Sequence, residues 1–113
     1  MEKEEEKRTD KFRDNSTIDL ALRLSDYEDE EIEEICLKLN DEKLAVVLEE
    51  ADEKIQIVIM AALDNKRVLN VFSYMSKDDI ADILGIVKVG RAKELINLMK
   101  ERRSNNNKKI IRL

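Results

Sequence analysis

Carboxylates are the main chemical groups this chain offers. Of its 113 residues, 26 are Asp or Glu, one is Cys and none is His. Imidazole acid–base chemistry and His ligation are therefore excluded, and a lone thiol cannot form a thiolate zinc cluster. Asp78, Asp79 and Asp82 form the tighter acidic group, with Asp78 and Asp82 four apart and so on one face of a helix. Glu28, Asp29, Glu30, Glu31, Glu33 and Glu34 crowd the start of another helix. Negative charge is favourable there with or without a cation, so a solvated acidic face explains that run. Hard divalent cations take oxygen ligands of this kind, but neither group has the spacing of an EF-hand loop. Asp79 also fits a capping role, leaving Asp78 and Asp82 as surface charge or part of a shared cation site. Cys36 occupies a core-facing position and reads as a buried, inert thiol. Gly85 and Gly90 belong to no phosphate-cradling loop, and Tyr27 and Tyr74 are isolated phenols. No motif supports an enzyme.

The elements that must position these groups are set by one apolar pattern. Side chains at p, p+3, p+4 and p+7 recur about every 12 residues: Ile32/Ile35/Cys36/Leu39, Leu44/Val47/Leu48/Ala51, Ile55/Val58/Ile59/Ala62, Val68/Val71/Phe72/Met75, Ile80/Ile83/Leu84/Val87 and Ala92/Leu95/Ile96/Met99. Ile18/Ala21/Leu22 is a weaker first member. Each set makes one stripe on a helix of about two turns. Helices so short must bury their stripes against neighbours. The expectation is an all-α stack of short helices, with Ile32, Cys36, Leu48, Ile59, Phe72, Leu84 and Ile96 in its core.

Polar residues mark the joints. Asn40-Asp41, Ala51-Asp52 and Asp64-Asn65 precede three of the stripes and supply caps for their first amides. Ser76 with Asp79 reads as a capping box. Gly85 admits close approach of a neighbouring helix or ends its own helix early. The last helix is expected to end near Arg103, where Lys100, Arg102 and Arg103 suit the negative end of its dipole. These signals divide the chain into a charged segment over 1–15, with Phe12 as an anchor, a helical domain over 16–103 and a polar, basic tail or linker over 104–113.

Charge is strongly polarised beneath a net charge of -5. Residues 26–53 hold 13 acids and 2 bases, whereas residues 88–113 hold 9 bases and 2 acids. The basic end lacks stacking aromatics and the acidic middle repels phosphate, which argues against nucleic acid as a partner. The longest apolar run, 57–63, is too short to cross a bilayer, and the acidic start does not read as a signal peptide.

Two segments resemble a known family. Residues 39–51, LNDEKLAVVLEEA, and 75–85, MSKDDIADILG, resemble the N-terminal cytosolic domain of MgtE magnesium transporters, and the resemblance extends over residues 18–101. It implies a right-handed superhelix (α-solenoid) of short helices that precedes a pair of CBS modules and a transmembrane region. It also implies a regulatory role on the cytoplasmic side of the membrane, with homodimerisation through the full-length protein. In that family, weakly bound Mg2+ ions neutralise acidic surfaces between this domain and the CBS modules. Asp78, Asp79 and Asp82 match the family's late acidic repeat, and the 28–34 run is the weaker candidate. Proline-containing turns of the family are missing here. The runner-up is a flagellar rotor switch (FliG-type) or generic helical scaffold, though the Glu-His-Pro-Gln motif of FliG is absent.

Overall fold

In the computed structural model the backbone is described over residues 15–111 and side chains over 16–104. The charged segment and its Phe12 anchor lie outside the described residues, apart from Asn15. Helix α1 (Asn15–Arg23) ends in a 3-10 turn (Leu24–Asp26), followed by α2 (Asp29–Lys38), α3 (Asp41–Glu50), α4 (Glu53–Ala62), α5 (Asn65–Phe72), α6 (Lys77–Ile86) and α7 (Val89–Ile111).

A capping side chain opens each helix from α2 to α6. The side chains of Asn40, Asp52 and Asp64 accept hydrogen bonds from the amides of Lys43 (2.8 Å), Ile55 (3.1 Å) and Arg67 (2.8 Å). Ser76 Oγ accepts from the Asp79 amide at 3.1 Å. At α2 the box is reciprocal, with Glu31 taking the Glu28 amide at 3.0 Å. Extended backbone at each of these caps separates one helix from the next.

The helices pack with their next-but-one neighbours. α1, α3, α5 and α7 form one layer, α2, α4 and α6 the other, and α6 also meets α7. α3 is the centre of this stack: Leu44, Ala45, Val46, Val47 and Leu48 are all buried. Its burial is wider than the stripe read from sequence because α1 and α5 cover it from both sides. Ile32, Cys36, Ile59, Phe72 and Ile83 extend the core along the stack.

The last helices depart from expectation. Leu84 is half-buried, and Ile96 is 37% exposed, while Leu95 beside it is fully covered. α7 packs against α5 and α6 on one side, so only part of its stripe finds a partner. It also runs on to Ile111 rather than ending near Arg103. Ser and Asn cost a helix only about 0.5 kcal/mol each relative to Ala, and no Gly or Pro interrupts the segment. Gly85 serves neither expected purpose. It sits within α6, is exposed, and an added Cβ would meet nothing within 4 Å. Its φ is not positive. Gly85→Ala therefore removes backbone freedom from the unfolded chain without a clash, and should stabilise the protein by about 0.5–1 kcal/mol in urea unfolding.

Candidate functional site

The acidic residues remain at the surface. Asp78 and Asp79 stand in the first turn of α6 and Asp82 one turn further on; Asp78 and Asp82 are exposed and Asp79 is half-buried. In the 28–34 run, Glu31 is occupied with the start of α2, and Glu34 makes an exposed ion pair of 3.7 Å with Lys38. Glu28, Asp29 and Glu30 are exposed and Glu33 is half-buried. Among the described residues no group of three or more acids or cysteines gathers as an ion cage. The sequence groups are thus real on the helices, but among the described residues the fold does not close either of them into a metal centre.

Two arginines, Arg67 and Arg91, make the most connected polar sites. Arg67, in the first turn of α5, sends Nε to Asp41 Oδ1 at 2.8 Å and Nη1 to the Leu37 carbonyl at 3.2 Å. Its Nη2 donates to the Leu39 carbonyl. One guanidinium thereby covers the C-terminal carbonyls of α2 and pairs with the first residue of α3. Arg91, in the first turn of α7, repeats the arrangement. Its Nε donates to Asn65 Oδ1 at 3.1 Å, Nη2 to the Leu63 carbonyl at 2.6 Å and Nη1 to the Met60 carbonyl. Both arginines reach a side chain 26 residues back and a carbonyl 28 residues back. The planar five-donor fork suits three acceptors around a helix end, and a lysine cannot reproduce it.

From sequence, Arg91 reads as part of the basic end and Arg67 attracts no notice. A signal was nonetheless present: Lys43, Arg67 and Arg91 lie 24 residues apart at the third position of alternate helices. Among the described side chains, with Arg91 turned inward, the exposed basic charge of α7 falls to Lys93, Lys100, Arg102 and Arg103.

Cys36 lies in the core beside this network. Burial pushes its thiol from 9.0 up to about 11, against a weaker downward pull from the Arg67 charge. The thiol stays protonated and has no second cysteine to pair with.

A two-layered stack of short capped helices, with arginines holding two of the helix ends, defines an all-α module of the stacked, solenoid-like kind. The match to the MgtE intracellular N domain covers residues 15–112, and the chain belongs to that family. No curated protein and no solved structure gives a significant match. No helix among the described residues is long and apolar enough to cross a membrane.

Two outcomes follow from this geometry. Arg67→Ala should cost about 2–3 kcal/mol in chemical unfolding, since it removes a charge-assisted bond and uncovers two carbonyls. Arg67→Lys should recover less than half of that, and Arg91→Ala should cost less because Asn65 is neutral. For Cys36, the unfolded state releases its proton first, so stability should fall as pH rises from about 9 to about 11. Cys36→Ala should flatten that decline, as read from unfolding midpoints across the window.

Proposed function

We propose that this chain is the cytosolic regulatory domain of a magnesium transporter, which responds to divalent cations through acidic surfaces it shares with a neighbouring domain. Membership of the MgtE intracellular N domain family over residues 15–112 is the observation that carries the reading. The exposure of Asp78 and Asp82 supports it, because carboxylates facing solvent are available to an opposing surface. Magnesium keeps several of its waters and takes one or two carboxylates, so a shared site needs no cage within one domain. CBS modules of the same transporter are the proposed partner, on the cytoplasmic side of the membrane.

The mechanism is a shift between two states. Bringing acidic surfaces together is costly unless cations lie between them, so high magnesium favours the compact arrangement and its withdrawal loosens it. A ligand shifts such an equilibrium only by its difference in affinity for the two states. The residues proposed to contribute are Asp78, Asp79 and Asp82 first, and the 28–34 run second.

Limited proteolysis under magnesium or manganese titration tests this, using the described domain alone and a chain continued through the next domain. Protection should rise with the cation only in the longer chain, and Asp78→Asn with Asp82→Asn should raise the concentration required. Absence of cation-dependent protection in the longer chain would sink the proposal.

A further inference from the structure

The two ends of the stack differ in charge and in relief. At the last end, α5, α6 and α7 form an apolar recess of about 280 Å³ floored by Leu69, Phe72, Ile80 and Met99. Ser73, Arg102 and Arg103 complete its lining, so two cations and no carboxylate face it. The Ser73 hydroxyl donates to the Asn70 carbonyl at 2.6 Å, and Arg102 Nη1 reaches Asn70 Oδ1 at a long 3.4 Å. Arg103 has no hydrogen bond or ion pair among the described residues. Lys100, Asp79 and Glu101 adjoin the lining in sequence and leave the site with a positive balance. At the first end, Tyr27 joins the 3-10 turn to α2 and is 38% exposed. Asp26 and Glu28 bracket it, and seven acids with no base lie between Arg23 and Lys38. Among the described large apolar side chains that are exposed, only Tyr27 has an acid on each side.

We infer that these two faces bind each other between copies of this chain, with Tyr27 of one copy entering the arginine-rimmed recess of the next. The ring supplies an apolar body for the floor and a hydroxyl for the wet rim. A guanidinium lies over its face, and Asp26 and Glu28 meet Arg102 and Arg103. The recess falls below the roughly 300–1,000 Å³ of small-molecule pockets and is open at its rim, so it suits one large side chain better than a ligand needing burial. Ion pairs at an exposed rim are individually weak, which puts the dissociation constant on the order of 0.1–1 mM. The recess of a copy is out of reach of its own Tyr27, because α3 and α4 stand between α1 and α2 at one end and α5, α6 and α7 at the other. A face that meets a different face does not close at two copies. Each addition leaves one Tyr27 and one recess open, so growth continues as short chains.

Sedimentation velocity of the whole chain at low salt, from micromolar to low-millimolar concentration, tests this. The average mass should pass that of a dimer at the top of the range and fall back toward the monomer in about 0.5 M salt, where surface charges are screened. Tyr27→Ser, and Arg102→Glu combined with Arg103→Glu, change exposed side chains and should each weaken association about tenfold or more. The Tyr27 variant keeps its recess and the arginine variant keeps Tyr27. An equimolar mixture of the two should therefore regain a dimer and grow no further. A monomer throughout, a wild-type mass that stops at two copies, association indifferent to salt or unchanged in either variant, or a mixture that stays monomeric would each overturn the inference. The measurement needs neither a cation nor a following domain, so its failure leaves the cation-sensing proposal standing.

Discussion

The ends of its helices are the constraint on which this structure depends. An α-helix leaves four amides and four carbonyls without internal partners, and α5 has only eight residues. Most of its backbone polar groups therefore lie at one terminus or the other. Asparagine, aspartate and serine caps satisfy the amide ends locally. The carbonyl ends have no such residue in their own segment, and two of them are met by an arginine from three helices further along. Stacking and end-pairing are thus one event: α2 and α3 receive Arg67 only once α5 has packed onto α3.

That dependence explains which parts of the fold were legible in the sequence. The caps could be read because cap and amide lie within one turn, and the stripes because their spacing is intrinsic to a helix. The central positions Leu44, Val47 and Leu48 followed from the stripe alone. At the C-terminal end the same pattern misplaced Ile96 because the choice between it and Leu95 depends on how many neighbours α7 has. Gly85 illustrates a similar limit: a glycine suggests crowding or a turn, and the fold asks for neither. Asn105, Asn106 and Asn107 looked like a break because their composition is that of a loop, yet the helix continues through them.

The polar sites were legible in composition and opaque in assembly. Asp78 and Asp82 do share α6, but three acids on one short helix do not converge without a second surface. Arg67 and Arg91 escaped notice because basic residues on a charged chain resemble solvated surface. Their meaning requires knowing that α5 lies against α3, and α7 against α5. Family membership is what joins these observations to function, and the proposed role rests on acids such as Asp78 and Asp82 that stay exposed on α6.

The two layers also set the unit in which such a chain can lengthen or shorten. One helix with its cap occupies about half of the arginine register. Losing a single helix would move every later element to the opposite layer and present Ile55 or Asp79 where an arginine belongs. Losing two together would preserve both layer and register. Insertions and deletions among relatives are thus expected to come in helix pairs, making the pair, rather than the visible apolar repeat, the unit of inheritance in this architecture.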